Sequence, residues 1–362
     1  MVEELAYKLV AWPKSKNKKR NPYQYLLYKE LEALGRGDIV EFSLREILFC
    51  GRDTIFHLHW PDVFLANSNG LKFWLKLAFL RIMFSFLRLR GIPVVWTAHN
   101  IRRDGQKNAS KLDRFFWGWF AERVDAIVYM NMTSKYEAEK QFPCLSNKFN
   151  TIIPHGHYNY VVDKYRGGSA HQVRDRLSAL FFGSITRYKN LYKLFSCFLE
   201  APIGSVELRV MGKSSNASPD EDFAELYGQA VSQAHPALKY FHFEDRFLSD
   251  EDLVAEIEAS DLVVFPYNDV LNSGAAIFAL SVGRPIYASG VKPFLELREM
   301  VGADWVHIYE GELEPEKLLN ALGAARLLRE REVEPDLAAF SWGLIADKHA
   351  EFFSKLSLLK NQ

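Results

Sequence analysis

The chain is short of cysteine, of long uncharged apolar runs and of net charge, and each shortage excludes something. Its 362 residues include three cysteines, Cys50, Cys144 and Cys197. They lie far apart, match no metal-ligand spacing and cannot all pair with one another, which argues against a disulfide scaffold or a zinc module and fits a reducing cytoplasm. The first twenty residues hold no apolar segment of signal-peptide length, so no export is expected. Neither a Walker spacing nor a G-x-G-x-x-G after the first strand of either half is present, which argues against a P-loop enzyme and a dinucleotide oxidoreductase. Basic and acidic residues balance at 45 each, and no nucleic-acid partner is expected.

What is present is apolar and unevenly charged. Hydrophobic residues make up 48% of the chain, enough for large cores, and the length suggests two domains. Residues 1–170 carry 26 Lys and Arg against 16 Asp and Glu, so this half is basic and the remainder equally acidic. Such asymmetry is expected when one half meets an anionic surface. Within the basic half, Gly70–Arg90 interleaves Lys72, Lys76, Arg81, Arg88 and Arg90 with Phe73, Trp74, Phe79, Phe84 and Phe86, and holds no acid. Cations spread through the segment oppose spanning a bilayer. The pattern fits an interfacial helix on anionic lipid, against the alternative of a buried helix with snorkelling cations.

Alternating strand and helix patterns run through both halves and predict an α/β architecture with parallel sheets. In the first half, strands ending in His57-Leu58-His59-Trp60-Pro61-Asp62 and in Thr97-Ala98-His99-Asn100 place His59, Asp62 and His99 at carboxyl ends, where parallel sheets open their ligand crevice. Asp104 follows in the next loop. A basic loop, Lys14 to Arg20, follows the first strand and reads either as a cleft lip or as a solvated loop.

In the second half a strand leads into Gly183-Ser184-Ile185-Thr186-Arg187-Tyr188-Lys189-Asn190 and a helix start. A glycine loop with two cations is a diphosphate cradle in which Arg187 and Lys189 neutralise a leaving group without a metal. Phe243–Phe247 reads as a nucleobase clamp, with Phe247 as its outer residue. Later, Leu262–Phe265, Pro266, a polar turn and a small-residue helix form a strand–loop–helix–strand unit. Asn272, Ser273, Gly274 and Ala275 at that helix start are a second anion site, or else an ordinary cap.

Taken together, Gly183, Arg187, Lys189, Pro266, Gly283 and Pro285 resemble the GT-B glycosyltransferases related to glycosyltransferase family 4. Thr97–Asn100, Ile153-Pro154-His155-Gly156 and a helix with Trp342 follow in the corresponding order. The Glu-x7-Glu pair of that group is missing, with Val270 and Phe278 in its place. The Asn272–Ala275 turn resembles instead the bacterial exopolysaccharide mannosyltransferases of the xanthan type, GumI-like.

The resemblance implies two Rossmann-like domains facing a central cleft. Residues 1–168 would bind acceptor and membrane, residues 169–340 the nucleotide-sugar donor, and the helix 341–362 would pack back towards the N-terminal domain. It implies transfer of mannose from GDP-mannose to a polyprenyl-diphosphate-linked glycan at the cytoplasmic face of the plasma membrane. Neither metal nor cofactor is expected, and without the acidic pair an inverting course is. Inversion needs a base near the acceptor hydroxyl. His99 and Asp104 are the first candidates, His59 and Asp62 the next. Two other readings stand beside this one, an inactive GT-B protein that binds nucleotide sugar or lipid, and a nucleotide-sugar epimerase of the same fold.

Overall fold

The computed structural model describes residues 7–16, 22–65, 70–101, 111–167, 175–216 and 218–360. Asp104 and the cations Lys18, Lys19 and Arg20 lie outside the described residues. The chain divides into two units, Met1–Gly156 with Ala338–Gln362, and His157–Leu337.

The first unit alternates β1 (Tyr7–Trp12), α1 (Tyr23–Ala33), β2 (Gly37–Glu41), α2 (Leu44–Phe49), β3 (Thr54–Leu58), α3 (Gly70–Leu89), β4 (Val94–Thr97), α4 (Lys111–Arg123), β5 (Ala126–Tyr129), α5 (Met132–Gln141) and β6 (Phe149–Ile152). Its six strands are ordered β2-β1-β3-β4-β5-β6, and every pairing is parallel. The order reverses beside β1, so the crevice between the ends of β1 and β3 is the topological switch point. Strands β3, β4 and β5 are buried on both faces, the burial expected of a sheet with helices on each side.

The second unit runs α6 (Asn159–Tyr165), β7 (Leu177–Phe182), α7 (Leu191–Glu200), β8 (Val206–Met211), α8 (Glu221–Ser232), β9 (Phe241–Glu244), α9 (Asp250–Ala259), β10 (Leu262–Phe265), α10 (Gly274–Ser281), β11 (Ile286–Ser289), α11 (Lys292–Val301), β12 (Val306–Tyr309) and α12 (Pro315–Glu330). Its sheet is ordered β12-β11-β10-β7-β8-β9, again parallel throughout. Here the order reverses between β7 and β10. Helix α7 shows why such segments fold as they do: Leu191, Leu194, Phe195 and Phe198, at helical spacing, are its buried stripe.

At the amino edge of this sheet Asp261 is fully buried. It accepts from the Ser178 N–H (2.8 Å) and hydroxyl (3.1 Å) and from Arg326 Nε (3.1 Å) and Nη2 (2.7 Å). The network ties β7 and β10 to α12 at the end opposite their carboxyl-edge loops, so the cations there serve structure.

The last helix, α13 (Trp342–Lys360), belongs to the first unit and packs on α1 and β1. Tyr7 and Phe353 meet edge to face at 5.5 Å. The boundary between units falls at Gly156, earlier than the expected 168. Helix α6 packs on α9, and Tyr158 N–H donates to Ser281 Oγ within the second unit.

Candidate active site

In the second unit, the two loops expected to hold a diphosphate follow β7 and β10, the neighbouring strands at the switch point. Backbone contact sets their shape. Gly183 has φ +103°, and a Cβ on Gly212 would lie 1.8 Å from the Gly183 carbonyl oxygen, so both positions need glycine. Asn268 N–H donates to Tyr188 O (2.8 Å), and Asn190 Nδ2 donates to Asn268 Oδ1 (3.1 Å), fastening one loop to the other.

Lys189 folds back across Gly183 and lays its ammonium over the Tyr267 ring, 5.3 Å from the centroid. Tyr267 comes from the β10 loop. Its hydroxyl is buried without a hydrogen-bond partner, and burial holds it well above the ordinary phenol range. Arg187 and Ser184 are exposed, and Asn272 to Ala275 are half-buried at the start of α10. Ser273 caps that helix by accepting from Ala276 N–H at 3.2 Å.

Two features differ from expectation. The start of α7 is not an open anion site: Asp220 Oδ2 accepts from Leu191 N–H at 2.9 Å, while Oδ1 accepts from Phe223 N–H at the start of α8. A carboxylate already occupies those amides, so the start of α7 does not offer them to a ligand. Phe247 lies beyond β9, at the sheet edge and two strands from β7, with 78% of its surface exposed. The structure does not bring it to the donor residues. Phe278 is buried against Tyr158 and Phe182, with centroids 4.9 and 6.3 Å away.

In the first unit the strand ends build a buried polar cluster. His57 on β3 and His59 just past its end, two residues apart, share one side of the chain. Tyr28 O–H lies 2.9 Å from His57 Nδ1 and 2.6 Å from His59 Nε2. His57 Nε2 lies 2.8 Å from Thr97 Oγ1, and His59 Nδ1 lies 3.0 Å from His99 Nε2. Five residues thus form one chain, Thr97–His57–Tyr28–His59–His99. Trp60 stacks on His99 at 4.4 Å and Tyr23 meets it edge-on at 4.7 Å.

Burial, reinforced by neighbouring imidazoles, holds His57, His59 and His99 well below their ordinary value, so all three are neutral at pH 7. Burial also pushes His155 and His349 down to about 4. Among the described residues, no group of three or more His, Cys, Asp or Glu is arranged to hold a metal ion. Asp62 is half-buried in a short 3-10 turn, Pro61–Leu65. The Pro154-His155-Gly156 motif is explained by packing: a Cβ on Gly156 would come within 2.3 Å of the Trp342 ring, which also contacts Tyr23 at 5.3 Å.

Helix α3 buries Phe73, Leu77, Leu80, Met83, Phe84 and Leu87. Its opposite face exposes Leu71, Trp74, Leu75, Ile82 and Leu89, with exposed Lys72, Arg81 and Arg88 along the flanks. Two expected membrane cations are engaged elsewhere. Lys76 donates to Phe64 O at 2.5 Å and Arg90 to Cys50 O at 2.7 Å. No helix among the described residues is long and apolar enough to cross a membrane.

No known protein-family profile matches the chain. Over 337 residues it is 29% identical to a GDP-mannose:glycolipid 4-beta-D-mannosyltransferase of Xanthomonas campestris pv. campestris (strain ATCC 33913), covering 92% of this chain and 88% of that one. A second protein of that name, from Xanthomonas campestris pv. campestris, is 28% identical over the same shares. Among solved structures, sucrose-phosphate synthase from Thermosynechococcus elongatus superposes with a TM-score of 0.64 at 15% identity, covering 98% of this chain and 100% of that one. The Anabaena HepE protein in complex with UDP-glucose gives 0.58 at 12% identity, with 98% of each covered. These structural neighbours are GT-B glycosyltransferases, and the fold is theirs.

Proposed function

We propose, from the premise that the chain is a GT-B-fold glycosyltransferase homologous to the Xanthomonas mannosyltransferases, that it moves mannose from GDP-mannose to a polyprenyl-diphosphate-linked glycan. The observation that carries the donor half is the meeting of Lys189 and Tyr267 at the β7/β10 switch point, beside the α10 start. Arg187, Lys189 and the amides near Ser273 and Gly274 hold the diphosphate and take up its charge as it leaves. His99 accepts the proton of the acceptor hydroxyl as the new C–O bond forms and the bond to the diphosphate breaks. Being neutral at pH 7, its imidazole is in the accepting form. The absence of carboxylates at Val270 and Phe278 supports an inverting course without metal or cofactor.

The test is incubation of the protein with radiolabelled GDP-mannose or UDP-glucose and a polyprenyl-linked acceptor pool, with and without EDTA. Label from GDP-mannose is expected in the lipid fraction, at the same rate with chelator. Label entering from UDP-glucose instead, or in neither case, overturns the donor assignment.

The acceptor's lipid calls for a membrane surface, and α3 supplies an apolar stripe flanked by cations. We assign it to the anionic inner leaflet of the plasma membrane, with the enzyme bound peripherally from the cytoplasm. Each cation near such a surface contributes about 1 kcal/mol, so Arg81→Ala and Arg88→Ala should each weaken binding to phosphatidylglycerol-containing vesicles about fivefold. Ile82→Asp should weaken binding further. Equal sedimentation with neutral and anionic vesicles overturns the assignment.

A further inference from the structure

Trp74 and Phe115 form an exposed aromatic pair that the packing of the first unit does not require. Helix α3 follows β3 and α4 follows β4, neighbours in the sheet, and right-handed crossovers lay both helices on one face. Phe84 fastens them together, meeting Trp119 and Phe120 at 5.3 and 6.1 Å, and all three rings are buried. Trp74 and Phe115 also meet, edge to face at 5.6 Å, yet 47% of Trp74 and 46% of Phe115 stay exposed. Phe73 and Leu77 already give this end of α3 its buried contacts. Rings left half in water are apolar surface that a ligand is favoured to cover.

The position of the pair narrows the choice of ligand. Trp74 is the fifth residue of α3 and Phe115 the fifth of α4, so both stand about 6 Å along the axis from the helix starts. Those starts lie towards the carboxyl edge of the sheet, where β3 leads to His59 and β4 to His99. Lys111 opens α4 one turn before Phe115 and on the same face. Lys72 lies in the first turn of α3, next to exposed Leu71, and both lysines are exposed. Residues 70–77 hold no acid. The one acid in 111–118, Asp113, is half-buried and two residues from both Lys111 and Phe115, hence on another side of the helix.

We propose that Trp74, Phe115, Lys111 and Lys72 bind the prenyl diphosphate end of the acceptor, the rings taking the first isoprene units and the lysines the diphosphate. The proposal rests on the acceptor being a polyprenyl-diphosphate-linked glycan. It divides α3 in two: the first two turns hold the substrate's lipid head, while Arg81, Ile82 and Arg88, further along, meet the bulk leaflet. The charge favours this occupant. A diphosphate bridging lipid and sugar carries two negative charges, which two lysines match, whereas the phosphodiester of a phospholipid such as phosphatidylglycerol carries one. Lysine, a point charge on a flexible stem, can follow such a head without the fixed geometry of an arginine fork.

The test is calorimetry on the full chain, without vesicles and with saturating GDP to occupy the donor site. The probes are farnesyl diphosphate, farnesol, inorganic diphosphate and soluble dihexanoyl phosphatidylglycerol. Farnesyl diphosphate should bind tightest. Trp74→Ala and Lys111→Ala should each weaken it about tenfold, and Trp74→Phe should keep most of the affinity. Parental far-UV circular dichroism and thermal midpoint show that the variants are folded. In transfer assays Trp74→Ala should raise KM for the lipid-linked acceptor and leave KM for GDP-mannose unchanged. Parental affinity for farnesyl diphosphate in both alanine variants overturns the proposal. So does any of the other three probes binding as tightly as farnesyl diphosphate, since lipid and diphosphate are then not read together. If the protein binds farnesyl diphosphate through Trp74 but moves no mannose, the reading of the reaction fails and the lipid site stands. If Trp74→Ala moves mannose with parental acceptor KM, the site fails and the reaction stands.

Discussion

Lys189→Ala is expected to lower kcat for mannose transfer by about 10²–10³-fold, the loss seen when one group stabilising developing negative charge is removed. The expectation comes from the supply of positive charge around β7 and β10. Asp220 has taken the first amides of α7, and Arg209, Arg326 and Arg329 are committed to Glu256 and Asp261. Lys189 and Arg187 sit on the loop after β7, where they can meet a leaving diphosphate together with the dipole of α10.

Lys189 is the better placed, since its ammonium is already held over Tyr267 while the Arg187 side chain is exposed. Lys189→Arg keeps the charge but changes its shape and reach, and should recover part of the rate. Because both cations act on one charge, Arg187→Ala with Lys189→Ala should cost less than the two single losses combined. Steady-state kinetics with GDP as product inhibitor separate binding from chemistry. A Lys189→Ala enzyme with parental kcat and parental GDP inhibition would refute the cradle.

How much of this was legible in the sequence follows from the range of the signals. Strand ends were readable because an apolar run followed by Gly, Pro or His marks a carboxyl edge locally, and the segments 183–190 and 266–275 follow adjacent strands in the sheet. His59 and His99 were in view because each stands at the end of an apolar strand run. Tyr28 was not, because nothing in the pattern of α1 tells which helical tyrosine will reach the end of a strand 29 residues later. The packing of α1 against its sheet decides it. Asp220 illustrates the same limit: its role as cap of α8 is local, whereas its bond to Leu191 spans 29 residues of chain. Phe247 failed for the opposite reason. An aromatic near a strand end suggests stacking, but only the strand order shows that β9 is the sheet edge. Helix α6 was lost among the flanking Gly and Pro residues, since only Val161 and Val162 are buried on it.

Lowering the pH from 7 to 4 is expected to unfold the first unit ahead of the second. His57, His59, His99, His155 and His349 all lie in the first unit, fully or almost fully buried and neutral. Their folded-state values lie below the ordinary 6.5, so between those values and 6.5 the unfolded chain binds more protons than the folded one. The stabilisation is therefore complete above about pH 6.5 and is lost as pH falls, with a slope of up to about 1.4 kcal/mol per pH unit for each imidazole. For His155 and His349, pushed down to about 4, the loss from pH 6.5 to 4 amounts to about 3 kcal/mol each. A domain's whole stability is about 5–15 kcal/mol, and three further imidazoles titrate in the same direction. Asp125, raised by burial, opposes the trend below its own folded value but is a single carboxyl. In the second unit His157 and His307 are lowered by burial, a smaller set. Seven of the chain's eight tryptophans fall in the first unit, so tryptophan fluorescence follows that unit while far-UV circular dichroism follows both. The fluorescence transition should come at the higher pH. His349→Leu removes one titrating group whose Nε2 is buried without a partner, and should move the transition to lower pH. Coincident transitions, or one that His349→Leu leaves in place, would show that the imidazole cluster does not set the acid limit.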